Sequence, residues 1–368
     1  MKFTNITAFQ ADWMVCFERD GRELLVVVVK ATYELPQAEE PARLAGKQLP
    51  LVQADEFVGE PGLSAPRRET DYAHRKPGCD VLLLGAAHAP AGSAVRRLEV
   101  ALRVGTMTKR FTVVGDRYWS KGLGGTSASD PEPFTVMPVG YERAFGGTDR
   151  TLEASQGKVD TFVANPAGRG YWRHTDDIDG KPLPNTEEVG CPISRAGGNY
   201  RPMALSPIGR AWEPRWRYAG SYDESWLENR APFWPDDFDY RYFQAAPPDQ
   251  IIEYAHGGEE VVLDNLSVGG TRSFRLPTQR VPVTFIPHRG RDVTREAVLD
   301  TIVLEPEDER FMLTWRCGLA LGKSVFDVRE TIVGEMSPAW HRSRRFPGKP
   351  YYRNLAEAVA ARRKARAV

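Results

Sequence analysis

Apolar residues in this chain recur at every second position, and that rhythm commits most of it to β-strands. In Leu98-Glu99-Val100-Ala101-Leu102-Arg103-Val104 the apolar side chains alternate with their neighbours. Successive strand side chains point to opposite faces, so this is the pattern of a half-buried strand. Phe111-Thr112-Val113-Val114 follows, and Phe311-Met312-Leu313-Thr314-Trp315-Arg316-Cys317 repeats the rhythm. Leu24-Leu25-Val26-Val27-Val28-Val29 is a continuous apolar run. Its short length and the flanking Gly21 favour a strand buried on both faces over a helix.

Strand-like runs fall into two groups. The first comprises 13–18, 23–35, 80–87, 96–104 and 108–115; the second 250–255, 259–265, 271–276, 281–286, 300–305, 310–317 and 325–333. Between them the composition changes. Positions 131–248 hold 14 of the 28 prolines, and 119–234 hold six of the nine tryptophans. Flexible linkers are rich in Gly, Ser and charge and poor in aromatics, so this is an ordered, irregular, aromatic-packed segment. Ordered loops of this length commonly form caps or binding surfaces.

The expected fold is therefore mainly β. It has two β-sandwich-like modules, residues 1–120 and 250–340, joined by a Pro/Trp-rich irregular segment over 121–249 and ending in a short basic helical tail over 341–368. Leu102-Arg103-Val104-Gly105 and Leu266-Ser267-Val268-Gly269 hint at an internal repeat. Similar hairpin turns explain the match more simply. In the tail, nine Lys/Arg face a single acid, Glu357. Residues 352–367 have helix-forming composition, with only Leu355 and Val359 as an apolar seam.

Lys+Arg and Asp+Glu both number 49, so no net charge draws the chain to nucleic acid or anionic lipid. The polar start lacks the continuous apolar stretch of a secretory signal. The longest apolar run falls far short of the roughly 20 residues of a membrane helix. Cys16, Cys79, Cys191 and Cys317 are far apart with no C-x-x-C pair, as expected of reduced thiols in a cytoplasmic protein.

Catalytic signatures are sparse. No G-x-S-x-G elbow or H-E-x-x-H is present, and no two of the six histidines lie at i, i+4. Gly122-Leu123-Gly124-Gly125-Thr126 lacks the lysine and spacing of a phosphate loop and reads as a turn. Asp236-Asp237-Phe238-Asp239 is the one enzyme-like feature. Clustered acids can hold a metal or do acid–base work, but Pro235 ahead of them points to turn or cap chemistry. Several segments are rich in Arg, Gly and aromatics: Gly115-Asp116-Arg117, residues 141–147, residues 165–171 and Leu183-Pro184-Asn185. They suit either pinning an irregular layer to a β core or recognising a protein, since Trp, Tyr and Arg dominate interface hot spots.

The same segments carry a family resemblance. The Asn5 region, Val29-Lys30-Ala31-Thr32-Tyr33, Lys76-Pro77-Gly78-Cys79-Asp80-Val81, residues 86–92, Gly115-Asp116-Arg117, residues 141–147 and residues 165–170 follow in order. Pro184-Asn185, Trp226 with Arg230-Ala231-Pro232, Asp237-Phe238-Asp239 and residues 245–250 continue the series. Together they resemble domain-of-unknown-function family 2169 over residues 5–335. The resemblance implies a cytoplasmic adaptor or chaperone of Gram-negative bacteria that helps load type VI secretion effectors, often with PAAR-like tips, onto the spike. It implies no catalytic residues and no cofactor or metal.

The leading expectation is thus a protein-binding adaptor whose partner is an effector, PAAR-like protein or spike protein. Arg169, Trp172, Trp212, Trp216 and Trp226 are the candidate partner contacts. The alternatives are a hydrolase built on Asp236, Asp237 and Asp239, and a structural part of the secreted spike assembly.

Overall fold

The run at residues 24–29 lies inside the longest strand, Glu23–Glu34, next to the edge of a six-stranded sheet. In order, that sheet comprises Ile251–Ile252, Cys79–Leu83, Val298–Glu305, Arg310–Ala320, Glu23–Glu34 and Gln10–Phe17. A five-stranded sheet comprises Thr186–Glu187, Met107–Val114, Arg97–Val104, Glu260–Ser267 and Gly270–Arg275. A four-stranded sheet contains Lys2–Asn5, Val328–Val333, Pro282–Pro287 and Val293–Glu296. The computed structural model describes residues 1–37, 40–122, 125–346, 351–352 and 355–366. Strand makes up 38% of the chain and helix 14%, so the protein is mainly β.

Alternation decides which side chains meet. Leu25, Val27 and Val29 join Leu313, Trp315, Leu102, Phe111, Leu263 and Phe285 in one apolar core drawn from all three sheets. Each such side chain contributes about 1.5–3 kcal/mol on burial. Leu24, Val26 and Val28 pack on the other face of the same strand with Leu51. The run is therefore buried on both faces, as its composition required.

Hydrogen bonding does not respect the expected module boundary. Glu23–Glu34 pairs with Arg310–Ala320, Cys79–Leu83 runs parallel to Val298–Glu305, and Arg97–Val104 pairs with Glu260–Ser267. Residues 1–120 and 250–340 thus build the same sheets, and the two expected modules are one interleaved scaffold. Alternation specifies the faces of a strand but not its neighbours, so separation in sequence misled. The two L-x-V-G stretches are tight hairpin turns, with Gly105 at φ 56° and Gly269 at φ 97°, and their hairpins lie side by side in the five-stranded sheet.

The outer face of the six-stranded sheet is different in kind. Beyond Val28, the Glu23–Glu34 strand offers Lys30 and Thr32, and the neighbouring strand offers Thr314 and Arg316. Lys30 pairs with Asp71 at 2.8 Å, Lys76 with Asp80 at 2.7 Å, and Arg316 with Asp300. Asp80 also accepts from the backbone N–H of Ala245 and Ala246. All these groups except the partly exposed Asp71 are buried. This ionic face is the floor on which residues from 40 to 75 and from 205 to 250 are laid.

The C-terminal region carries two helices, Pro338–Arg345 and Leu355–Arg366. Trp340 packs against Ile286, Ile332 and Met336. Leu355 and Val359 are exposed, so the expected apolar seam is not buried. Of the residues expected to extend this helix, 353, 354 and 367 lie outside the described residues.

Candidate interaction surface

The Pro/Trp-rich segment is tied down by single polar side chains rather than by regular structure. Asn165 donates to the carbonyls of Tyr141 and Phe145 at 2.9 and 3.0 Å. Gly146 beneath it has φ 150°, and a Cβ there would lie 2.2 Å from the Asn165 carbonyl; only glycine permits that approach. Asn185 donates to the Val114 carbonyl and to Asp116. Buried Glu187, on the edge strand that the segment lends to the five-stranded sheet, pairs with Arg117 and Arg97 and accepts from the N–H of Ile193. Buried polar groups hydrogen-bonded in this way favour one arrangement of the backbone.

Aromatic rings fill the spaces between these pins. Trp119, Phe145, Ile178, Leu183 and Ile193 form one cluster, joined by Phe162, Tyr171, Trp172 and Tyr200. Tyr141 meets Trp212 edge-on at 5.4 Å in a second cluster. Arg215 donates to Glu69 at 2.6 Å and to the carbonyls of Ile208 and Tyr242, closing the segment onto residues 55–70.

The five candidate contacts are divided by this packing. Trp212 is only 6% exposed and is a packing residue, which corrects the expectation that it offers a surface. Arg169 is half-buried and donates to the Glu142 carbonyl at 3.0 Å. Trp172 is half-buried in the first cluster, with Lys181 over its ring. Trp226 donates to the Phe233 carbonyl at 2.8 Å and meets Tyr222 edge-on. Trp216 is 53% exposed, as is Tyr222, and Leu227 is 64% exposed. Composition alone could not tell the inward tryptophans from the outward one.

The aspartates do separate jobs. Asp236 pairs with Arg230 at 3.0 Å. Asp237 accepts from the N–H and hydroxyl of Ser221, which hold its carboxyl below the usual range. Asp239 accepts from the N–H of Arg241 and pairs with its guanidinium, with the same effect on its carboxyl. This is the turn and cap chemistry that Pro235 suggested.

Glu213, Pro214 and Arg217, which flank Trp216 in sequence, line a groove of about 510 Å³. Its wall includes Pro202, Pro214, Pro247 and Pro248, and it contains Lys109, Tyr141, Arg201 and Asp249. Lys109 was not anticipated. Its signal was a cation in register with Met107, Phe111 and Val113 on the buried face of a strand. Lys109 donates to Gln250 at 2.8 Å and to Asp249 at 3.2 Å. Burial pushes its ammonium down to about 8, against the attraction of Asp249. Burial, and then the charge of Asp249, raise the Tyr141 phenol well above its usual range.

By fold and surface this is a mainly β scaffold carrying a rigid aromatic layer. The chain belongs to a bacterial family described as an uncharacterized protein conserved in bacteria (DUF2169), which it matches over residues 20–316. No curated protein and no solved structure matches it. Among the described residues, no helix is long and apolar enough to cross a membrane.

Proposed function

We propose that this protein is a cytoplasmic adaptor that binds a type VI secretion effector, often PAAR-like, and helps load it onto the spike. The observation that carries the binding role is the exposure of Trp216, Tyr222 and Leu227 on a layer whose other aromatics are largely packed away. Large apolar side chains held outward by a rigid frame cost little ordering entropy on association, which favours them as anchors. Membership in the bacterial family supports the setting. The hydrolase alternative loses its support because Asp236, Asp237 and Asp239 are each engaged by a different partner.

The test is affinity capture of the tagged full-length chain from its native bacterium. An effector bearing a PAAR-like tip, or a spike protein, is expected to co-purify and to be lost from a Trp216→Ala/Leu227→Ala variant of unchanged thermal midpoint. Recovery of no such protein with the wild-type chain would overturn the proposal. Appearance of the chain itself in culture supernatant beside the spike would favour a structural part of the secreted assembly instead.

A further inference from the structure

Tyr141 is only 3% exposed, yet no group among the described residues bonds its hydroxyl. Its ring is fixed by Trp212, and its hydroxyl feels the charges of Asp249 and Arg201 and lines the groove. The hydroxyl is not itself sealed from solvent and opens into the groove, where a bound acceptor can reach it. Lys109 adds a second open donor, because an ammonium has three N–H groups and two are used by Gln250 and Asp249.

The rim continues the pattern. Arg201 gives one nitrogen to Asp249 at 2.7 Å, while its other reaches Glu188 only at 3.8 Å. Arg217 approaches Glu213 at 3.5 Å and gives its other terminal nitrogen to the Tyr218 hydroxyl at 3.2 Å, leaving its remaining N–H donors for a ligand. Lys109, Arg201 and Arg217 outnumber the acids Asp249 and Glu213 in the lining. Open donors thus run from the buried floor to half-exposed guanidiniums.

We propose that this groove binds an acidic peptide segment of the protein partner, with one Asp or Glu carboxylate seated on Tyr141 and Lys109 and further acids on Arg201 and Arg217. The inference rests on the adaptor reading and names the chemistry its partner presents. A chain-terminal carboxylate would use the floor and leave the rim guanidiniums idle. Charge-assisted bonds to a carboxylate are short and about twice as strong as neutral ones, and the proline walls bring apolar surface without competing N–H donors.

Calorimetric titration of the full chain with acetyl-Ala-Glu-Ala-Glu-Ala-Glu-Ala-amide, its Gln counterpart, and an all-Ala peptide with a free C-terminus tests this. The Glu peptide is expected to bind about tenfold tighter than either control, the scale of one charge-assisted bond. Tyr141→Phe keeps the ring against Trp212, and Arg201→Gln lies at the surface; each is expected to weaken Glu-peptide binding several-fold with an unchanged thermal midpoint. Equal binding of the Glu and Gln peptides, tighter binding of the free C-terminus, no binding at all, or indifference to Tyr141→Phe would each overturn the proposal. Capture of the native partner by Tyr141→Phe separates the two readings. If a PAAR-like effector is still recovered while the Glu peptide fails to bind, the groove proposal falls and the adaptor stands; if the wild-type chain recovers none, the adaptor reading itself falls.

Discussion

The two faces of the six-stranded sheet are both buried, but the outer one sets buried ion pairs among its apolar contacts. Inward, Leu25, Val27, Leu313 and Trp315 meet the five-stranded sheet in an apolar core. Outward, Lys30 pairs with Asp71 and Asp80 with Lys76, while Arg316, paired with Asp300 inside the sheet, donates to the Asp71 carbonyl. Apolar contacts are non-directional and tolerate exchange of similar volumes. Buried ion pairs contribute little net stability, yet they punish the loss of either member. The outer face therefore works as a registration device for an irregular layer that has no regular pattern of its own to align it.

Substitutions can break this contrast. The largest effect is expected from Asp300→Ala, which strands the Arg316 guanidinium and costs about 3–5 kcal/mol. The double variant Asp300→Leu/Arg316→Met removes both charges and should recover most of that loss in denaturant unfolding. If the double variant is as unstable as the single, the pair contributes intrinsic stability and the contrast fails. On the inner face Leu313→Ala should cost about 2–5 kcal/mol through the cavity it leaves, with no rescue available from any charge change. A Leu313→Met variant should stay near wild type, since volume-conserving swaps are well tolerated.

The smallest effect sharpens the comparison at the groove. Unfolded Lys109 holds its proton up to the ordinary lysine range, whereas in the fold it releases it near pH 8. Between those values the unfolded state binds more protons, so the Lys109 contribution to stability rises with pH. Below about pH 8 both states are protonated and the slope vanishes. Lys109→Met should flatten this window when unfolding midpoints are compared from pH 7 to 10. Cys16 and Tyr33, both pushed up to about 12 by burial, act in the opposite sense in both proteins and cancel in the difference.

Much of the scaffold could be read from the sequence, because alternation is local. Strands Glu23–Glu34, Arg97–Val104, Met107–Val114 and Arg310–Ala320 stand close to where the pattern places them. Lys2–Asn5 and Val293–Glu296 were missed, being short and without alternation long enough to register. Of the expected run at 250–255, Ile251–Ile252 pairs as a strand and Ala255 makes an isolated bridge to Leu299. Partner choice was illegible: nothing local in Cys79–Leu83 announces a parallel neighbour more than two hundred positions away. In the irregular layer, composition revealed order but not orientation. Trp212 and Trp216 sit four apart among similar neighbours, but Trp212 packs with Tyr141, Ala204 and Ile208 while Trp216 stays exposed.

The interleaving of the sheets also sets a timetable. The Glu23–Glu34 strand leaves the ribosome long before Arg310–Ala320, which must lie beside it and is made more than two hundred residues later. At about 5–20 residues per second the early strand waits for tens of seconds with one edge open and both apolar faces uncovered. A newborn chain of this design is expected to need chaperones before it can act on any partner, and its yield in the cell should track their supply more closely than its final stability would suggest.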